Sequence, residues 1–436
     1  MAKTENAPTN TYDVLIVGAG ISGFYAALHM PKGARVAIAD KYKFLGGRTF
    51  TFQKDISGVN YQWEEGAARI ANSHTMLINL VKKYRLTLIP IGGETVYRES
   101  GAYPVELDHF QPSLPITLEP LRRLPPYRLA NTTIRKLLTD LHGERLTNAI
   151  LNRYPYRAEM DVMRADMALD LFAHEFKSFA GYSIIKEGFS ELIARMRKDF
   201  EGRGGTILAQ HELVGLEGER QAIFRKGRPS DGVGRPEVKI TADRIILALP
   251  SLSLGHLPQF SEWPILRHLQ MKPLLRVYAV FPKTTEKKGV WFEGLPKIIT
   301  PASCRFIIPN SATNGTIQIS YTDSLDAEPL QIILEKDGET ALGKFLVAEL
   351  RKLLQDRNSE IPDPLFVKAH SWKDGVTYWL PGDYNPYELS TAACVPFPKK
   401  HPNWFVCGES YSTRQCWVEG ALEHTAEMLK VFNKSS

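Results

Sequence analysis

The sequence predicts an α/β fold, and three observations support this. An apolar run at 12–17 precedes three closely spaced glycines, and apolar residues at helical spacing follow at 21–28. A second run typical of a β-strand, 35–39, ends on an acid, Asp40. This order of strand, glycine turn, helix and strand is typical of a parallel sheet covered by helices. At 436 residues the chain is long enough for a second domain.

Composition places the chain among ordinary globular proteins and excludes several classes. Hydrophobic residues make up 43% and charged residues 23%, so a core can form and disorder is not expected. The 54 basic and 48 acidic side chains are spread along the chain, so no nucleic-acid partner is predicted. The 4 cysteines contain no C-x-x-C pair, which argues against a disulfide scaffold or a metal site. We therefore predict a cytoplasmic protein without a metal.

The uncharged stretch 14–31 is nearly long enough to suggest a membrane span. Its glycines divide it into a short strand and the start of a helix, which a uniformly apolar span of about 20 residues would not need. No basic segment followed by an apolar one appears before Asp13, so no signal peptide is predicted. The sequence therefore predicts no membrane partner.

The remaining elements follow from changes in hydrophobic period. Helices are predicted around 77–84, 192–200, 341–354 and 417–432, with a largely helical segment at 85–185. Short strands at 206–249 predict a small β-meander, and other strands are expected at 276–281, 316–321 and 403–408. We predict one discontinuous domain built on the parallel sheet, from 12–77, 204–250 and 400–433. A second, mixed α+β domain takes 78–203 and 251–399.

The closely spaced glycines follow the pattern G-x-G-x-x-G between the first strand and the first helix. Such glycines let the backbone turn tightly and approach a pyrophosphate, whose charge the helix N-terminus stabilises. Asp40 stands 22 residues after Gly18, where an acid can accept a hydrogen bond from a ribose hydroxyl. We therefore predict dinucleotide binding, with contacts from Gly18, Gly20, Ser22, Gly23, Asp40 and Lys41.

The segment Gly46-Gly47-Arg48 follows Asp40 after five residues, and this spacing resembles the flavin-containing amine oxidase family. An arginine there can neutralise a diphosphate with two parallel hydrogen bonds. The resemblance implies a Rossmann-type FAD-binding domain with a small β-meander, joined to a mixed α+β substrate-binding domain. The alternative for Arg48 is a surface turn that happens to hold an arginine.

Other segments carry the same resemblance. The segment 65–70 is similar to the one that wraps the flavin, and Leu213 stands at the position beside the adenine. The segments 408–409 and 417–421 resemble the last signature of the family, in which a helix N-terminus points at the flavin. The further FAD contacts implied are Gly47, Arg48, Gly66, Ala67, Ala68, Arg69, Leu213, Gly408, Glu409, Trp417, Val418 and Ala421. Because 372–382 contains no cysteine, the resemblance implies non-covalent FAD.

Within the family, Arg69 is the informative residue. The L-amino-acid oxidases and tryptophan 2-monooxygenases have Gly-x-x-Arg at this position, and their arginine binds the substrate α-carboxylate. A guanidinium supplies the permanently charged fork that a carboxylate needs. The resemblance therefore points to the L-amino-acid oxidase branch. The alternative is a structural ion pair between Arg69 and Glu64 or Glu65.

The resemblance also suggests the walls of the substrate site. Trp417 stands where the family places an aromatic wall beside the flavin, and Tyr378 or Trp379 is the candidate for the opposite wall. Core packing is the alternative for each. The family commonly has a lysine that holds a water near flavin N5, and Arg276 occupies that position here. Arg276 could hold the water or bind an acidic substrate group, unless Lys272 is the true counterpart.

These residues predict an FAD-dependent L-amino-acid oxidase that uses O₂ and releases the 2-oxo acid, ammonia and hydrogen peroxide. An amine or polyamine oxidase would need Arg69 to point away from the cleft. An amino-acid 2-monooxygenase would keep Arg69 but release CO₂ and an amide. A flavoprotein that has lost oxidase activity and acts as a binding module stays open because of Arg276. The family resemblance further suggests a homodimer.

Overall fold

The computed structural model describes residues 10–101, 105–107, 117–177, 181–232, 234–283, 289–355, 361–395 and 401–435, without the side chains of 105–107 and 175–177. The predicted domain boundary at 399 and 400 lies outside these residues. The remaining predicted boundaries and every predicted site residue fall within them.

The described residues form strands and helices throughout the chain. The strands are β1 Thr11–Val17, β2 Val36–Asp40, β3 Thr51–Ile56, β4 Val59–Glu64, β5 Ile70–Ala71, β6 Leu88–Ile91, β7 Thr95–Tyr97, β8 Val105–Leu107, β9 Tyr182–Ile185, β10 Thr206–Ala209, β11 His211–Glu217, β12 Gln221–Lys226, β13 Glu237–Leu247, β14 Leu269–Val280, β15 Lys297–Ile299, β16 Phe306–Ser311, β17 Thr316–Asp323, β18 Phe366–Trp379 and β19 Trp404–Val406. The helices are α1 Ile21–Leu28, α2 Thr75–Lys83, α3 Pro126–Ala130, α4 Ile134–Leu151, α5 Ala158–Asp161, α6 Ala165–Lys177, α7 Phe189–Gly202, α8 Ser251–Gly255, α9 Ser324–Leu353, α10 Pro386–Ala393 and α11 Val418–Lys434.

The first sheet contains the strands that the glycine motif predicted. In it β10, β2, β1, β13 and β19 lie side by side and parallel. The N-terminal half of β13 continues into antiparallel β12 and β11, which form the meander. The strand 206–209 was predicted to belong to this meander, but it pairs with β2 at the edge of the parallel part. Strand type was therefore predicted correctly there, and strand partner was not.

Helices cover one face of this sheet with a continuous apolar core. Phe24 of α1, Leu77 of α2, Met196 of α7 and Leu422 of α11 are all fully buried in it. We assigned 78–203 to the substrate-binding domain, but α7 packs against α1, α2 packs against α11, and both share this core. The position of α7 follows from its apolar side, which is buried in this core. These helices therefore belong with the first sheet.

The second sheet has the strand order β18-β14-β17-β16-β15-β7-β8. The long helix α9 packs on it and kinks at Gly338, where φ is 84°. The segment 85–185 was predicted to be largely helical, and it does supply α3 to α6. It also supplies strands β6 to β9, which are too short to show a period of their own. The second sheet meets the first part of the fold where Arg48, in the turn after β2, donates to the carbonyl oxygen of Gly375 in β18.

Among the described residues, no helix is both long and apolar enough to span a bilayer. The four cysteines are all free thiols, and no group of His, Cys, Asp and Glu in the described part of the chain is arranged to hold a metal ion.

Candidate functional site

The glycine turn after β1 leaves room for a ligand at one position and is closely packed at two others. A Cβ on Gly18, where φ is +107°, would lie 2.4 Å from the carbonyl oxygen of Ala248. A Cβ on Gly23 would lie 1.9 Å from the carbonyl oxygen of Gly18, so α1 packs directly on the turn. A Cβ on Gly20 would meet nothing nearer than a carbonyl oxygen at 4.0 Å. The protein itself leaves this space open, as a pyrophosphate cradle requires.

Asp40 ends β2 beside this turn. Its carboxylate accepts hydrogen bonds from the backbone N–H groups of Ala19 and Tyr42, each at 2.8 Å. These bonds hold the carboxylate against the first glycine turn, while Lys41 directs its ammonium to the ring of Tyr42, 4.8 Å from the centroid. Burial raises the pKa of Asp40 above its ordinary value. The acid is thus fixed in place where the motif predicts a ribose.

Two other predicted FAD contacts, Ser22 and Ala421, are joined by a hydrogen bond, and a third, Leu213, lies in the meander. The hydroxyl of Ser22 donates to the carbonyl oxygen of Ala421 at 3.4 Å and so joins α1 to α11. Leu213 lies in β11 at an irregularity in its pairing with β12. Both Ser22 and Ala421 are buried, and Leu213 is partly exposed.

Arg48 and Glu409, predicted separately, form one ion pair. Nη1 of Arg48 lies 2.8 Å from a carboxylate oxygen of Glu409 and donates to the carbonyl oxygen of Gly375 at 3.0 Å. Glu409 is buried and also accepts the N–H of Cys416 at 3.0 Å. The guanidinium is partly exposed, so it can offer further N–H donors to an anion while Glu409 orients it.

The segment 64–69 is held between the second sheet and the turn that contains Arg48. A Cβ on Gly66 would lie 2.1 Å from the carbonyl oxygen of Arg48, so only glycine fits there. The carbonyl of Glu64 accepts the hydroxyl of Tyr278 at 3.0 Å, and the carbonyl of Glu65 accepts the indole N–H of Trp372 at 2.9 Å. Burial raises the pKa of the Glu64 carboxyl to about 7. These contacts fix the three residues that follow, Ala67, Ala68 and Arg69.

The last predicted motif ends at the N-terminus of α11. Gly408 has φ of +136°, and a Cβ there would meet no atom within 4 Å, so this turn is also open. Cys416 takes a left-handed φ of 73°, which is strained for a residue with a side chain, and it sets the direction of Trp417. Glu419 is missing from the predicted contacts. Its carboxylate accepts the N–H groups of Met76 and Leu77 at 2.8 and 2.9 Å, which caps α2.

A cavity of about 830 Å³, including its open mouth, joins these motifs to the second sheet. It is lined by Ala67, Ala68, Arg69, Tyr154, Tyr156, Glu159, Leu171, Phe172, Tyr182, Leu274, Arg276, Tyr321, Asp323, Val376, Tyr378, Cys416, Trp417 and Val418. The structure therefore brings Arg69, Arg276, Tyr378 and Trp417 together, as predicted. The alternating side chains of β18 explain why Tyr378 reaches the cavity and its neighbour does not.

Trp379 corrects the prediction for the opposite wall. It is fully buried, and its indole N–H donates to the carbonyl oxygen of Ser412 at 2.9 Å. The ring packs in the core behind the cavity, so it cannot contact a ligand there. Tyr378 is the member of the pair that lines the cavity.

Arg69 is partly buried among tyrosines. It donates a hydrogen bond to the hydroxyl of Tyr156, and its guanidinium lies 5.4 and 5.6 Å from the ring centroids of Tyr156 and Tyr182. The two acids proposed as alternative partners are engaged elsewhere. Glu64 accepts the hydroxyl of Thr51 at 2.9 Å, and Glu65 lies 3.4 Å from His370. The guanidinium faces the cavity instead.

Arg276 enters the cavity from β14 and is 5% exposed. It lies 4.6 Å from the ring centroid of Tyr321 and donates to the carbonyl oxygen of Glu64 at 3.4 Å. No described residue accepts a hydrogen bond from its Nε. A buried N–H of a charged group is costly to leave unpaired, so this atom points to a water or a ligand. Lys272, the other candidate, is partly exposed and absent from the cavity lining among the described residues.

Several residues that line the cavity were not predicted from the sequence. Tyr154, Tyr156 and Glu159 come from the turn and short helix between α4 and α6, Tyr182 from β9, and Asp323 from the end of β17. No motif or period marks them. The only signal was the aromatic pair 154 and 156, in a segment otherwise poor in alternation.

The sequence matches the family of flavin containing amine oxidoreductases over residues 21–426. The chain belongs to this family. Among solved structures, a putrescine oxidase variant superposes on this flavin amine oxidoreductase with a TM-score of 0.70 at 17% identity, covering 98% of each chain. Cyclohexylamine oxidase from Brevibacterium oxydans gives a TM-score of 0.69 at 19% identity, covering 97% of this chain and 99% of that one.

These similarities establish the fold of the amine oxidoreductase, with a flavin-binding and a substrate-binding part. Wild-type putrescine oxidase bound to putrescine is also similar, with a TM-score of 0.67 at 16% identity over 98% of this chain and 99% of that one. None of the curated proteins that were compared matches the sequence.

A flavin fits the residues present. Gly20 and Gly408 are glycines at open positions, where a side chain would fill space that no protein atom uses. Arg48 is held by Glu409, the residue after Gly408, and stays partly exposed, and the N-terminus of α11 meets the cavity at Trp417 and Val418. Glycines without a packing reason, a positioned cation and a helix N-terminus are what an anionic dinucleotide requires.

Proposed function

We propose that this amine oxidoreductase is an FAD-dependent L-amino-acid oxidase with non-covalently bound FAD. The observation that carries the proposal is the position of Arg69. Its guanidinium lines the same cavity as Trp417 and Val418 at the N-terminus of α11, among tyrosines that keep it partly out of water. A planar fork of N–H donors in such a place suits a carboxylate.

The charge of the cavity supports the same conclusion. Arg69 and Arg276 both line it and stay cationic at any physiological pH, whereas burial raises the pKa of the two acids in the lining, Glu159 and Asp323, and so favours their neutral forms. Two permanent cations disfavour a simple alkylammonium ion, whereas an amino acid brings a carboxylate that compensates one of them. The Nε of Arg276 without a described acceptor adds a second place for an acceptor atom.

The residues have distinct roles in this proposal. A bound flavin would supply the redox chemistry, namely hydride acceptance and reoxidation by O₂, and the turns at Gly20 and Gly408 with Arg48 would hold it. Arg69 and the hydroxyl of Tyr156 hold the α-carboxylate. Trp417 and Tyr378 confine the reacting carbon and exclude water. Arg276 holds a water molecule through Nε, and the imino acid product hydrolyses to the 2-oxo acid and ammonia.

An amine oxidase is the second candidate. The names of the similar structures favour it, because putrescine oxidase and cyclohexylamine oxidase both act on amines without a carboxylate. Their identity to this chain is low, and the two arginines in the cavity argue for an anionic group on the substrate. A comparison of L-amino acids with the amines of the same side chain separates the two.

The test is a peroxide assay across the L-amino acids and the amines with the same side chains, with oxygen uptake and product mass recorded. We expect the purified protein to be yellow, to release FAD on acid treatment, and to oxidise at least one amino acid faster than its matched amine. Release of CO₂ and an amide would identify a monooxygenase. Preference for the amine throughout would contradict the proposal.

Arg276→Lys tests the role of the second arginine. If the guanidinium holds a water, a lysine can hold it too, and we expect the rate of flavin reoxidation by O₂ to be preserved or raised. The measurement is stopped-flow absorbance of the reduced protein mixed with oxygen. Arg276→Met is the matched control, since it keeps the volume without a donor and should slow reoxidation. A rise in KM for acidic substrates alone, with reoxidation unchanged in both variants, would show that Arg276 binds substrate instead.

A further inference from the structure

One carboxyl group in the cavity has no role in the proposed reaction. Glu159, on the short helix α5, is 7% exposed and lines the cavity. No described residue donates a hydrogen bond to its Oε2. A buried carboxyl oxygen without a donor is costly to maintain, because it has lost its water and gained nothing in exchange. The oxygen therefore indicates a donor that the chain does not itself provide.

A second acid in the cavity lining acts electrostatically on Glu159. Asp323, 3% exposed at the end of β17, also lines the cavity. Its two carboxyl oxygens accept the backbone N–H groups of Arg157 and Ala158, at 2.7 and 3.4 Å, so Asp323 is anchored and holds the start of α5. Burial, and after it the negative charge of Asp323, raises the pKa of Glu159 well above its usual range. Asp323 is satisfied by the backbone, which leaves Glu159 as the group open to a ligand.

The acids and Arg69 line the same cavity but have different contacts. Arg69 contacts Tyr156 and Tyr182. Glu159 acts electrostatically on Tyr154, Tyr378 and Cys416. The positive charge of Arg69 also reaches Glu159 and opposes the rise of its pKa. A substrate could place its carboxylate on Arg69 and a cationic group on the open oxygen of Glu159.

We propose that Glu159, backed by Asp323, binds a cationic side chain of the substrate, so that the preferred substrates are L-amino acids with a basic side chain. This rests on the proposed function, because Arg69 must hold the carboxylate for the side chain to reach Glu159. The reacting amine is not the group bound here. That amine has to be neutral when the hydride leaves, whereas a carboxylate partner would favour its ammonium form.

The test compares four substrates of the flavin-loaded enzyme: L-lysine, L-norleucine, cadaverine and pentylamine. Lysine and norleucine differ in the side-chain ammonium, and each amine lacks only the carboxylate of its amino acid. The ratio of kcat/KM for lysine over norleucine measures the acid subsite, and the ratio of lysine over cadaverine measures the carboxylate site. A failure of this inference and a failure of the proposed function therefore appear in different ratios.

Glu159→Gln keeps the size of the side chain and removes its charge. We expect the lysine to norleucine ratio to fall roughly ten- to a hundredfold, the range of a charged hydrogen bond, with norleucine oxidised as before. Glu144→Gln, an exposed acid on α4, is the matched control and should leave the ratio unchanged. An equal loss for lysine and norleucine would overturn the inference, because Glu159 would then act on the reacting amine or on the fold.

The pH dependence gives a second readout that a structural role would not produce. The charged and titratable groups around Glu159 are Asp323, Arg69, Asp161, Tyr154, Tyr378 and Cys416. Glu159 is neutral below its raised pKa, so the lysine to norleucine ratio should rise with pH as the carboxyl ionises. Glu159→Gln should lack this rise. If the wild-type enzyme prefers norleucine to lysine at every pH, that measurement alone contradicts the inference.

Discussion

Arg69→Ala should lower kcat/KM for L-amino acids by roughly a hundredfold or more. A carboxylate bound in the cavity would lose its charged partner, and removing one member of a desolvated pair costs about 3–5 kcal/mol, while each decade in rate corresponds to about 1.4 kcal/mol. The preference for an amino acid over its matched amine should shrink or reverse, because alanine removes the reason to favour a carboxylate. Steady-state peroxide assays with both substrates measure the two effects.

The flavin content of Arg69→Ala should stay normal. The ion pair of Arg48 with Glu409 is separate from it, and Gly66 and Ala67 act through their backbone. Arg69→Lys is the matched control, since it keeps the charge without the planar fork and should fall between the wild type and alanine. The contrary outcome is a wild type that oxidises an amine better than its amino acid, with both rates unchanged in Arg69→Ala. Arg69 would then have a structural role, and the amine oxidase would be the favoured function.

The parts of the fold that local patterns encode were predictable. The glycines after β1, the apolar face of α1 and the acid that ends β2 lie within thirty residues, so their spacing alone specifies strand, turn and helix. The pairing of β10 was not predictable in this way. Its residues show a strand, but only the tertiary structure decides whether β2 or the meander supplies the neighbour.

The cavity residues differ in the same way in how far the sequence predicts them. Arg69 and Trp417 sit in motifs with a fixed spacing, and the sequence located them. Glu159 and Asp323 are 164 residues apart and meet only because β17 ends at the start of α5. The choice between Tyr378 and Trp379 was open for another reason. Adjacent residues of a strand face opposite sides, and nothing in the sequence says which side of β18 meets the cavity.

Gly20→Val should abolish flavin retention while leaving a folded chain. The backbone of Gly20 is extended, with φ of −79° and ψ of −177°, which any residue can adopt. A Cβ there would meet no protein atom nearer than 4.0 Å, so the fold itself does not require glycine. The branched side chain would instead occupy the space before the first N–H groups of α1, where the pyrophosphate is expected. The ratio of flavin to protein absorbance after purification measures the loss.

The neighbouring glycines make the result specific. Gly23→Ala would place a Cβ 1.9 Å from a backbone oxygen, so we expect that variant to lower the melting temperature as well as the flavin content. Gly92→Val is the matched control, because Gly92 is exposed and a Cβ there meets no atom within 4 Å. A circular dichroism melt separates unfolding from loss of the cofactor. Full flavin stoichiometry in Gly20→Val would refute the cradle assignment, since a side chain and a pyrophosphate cannot share that space.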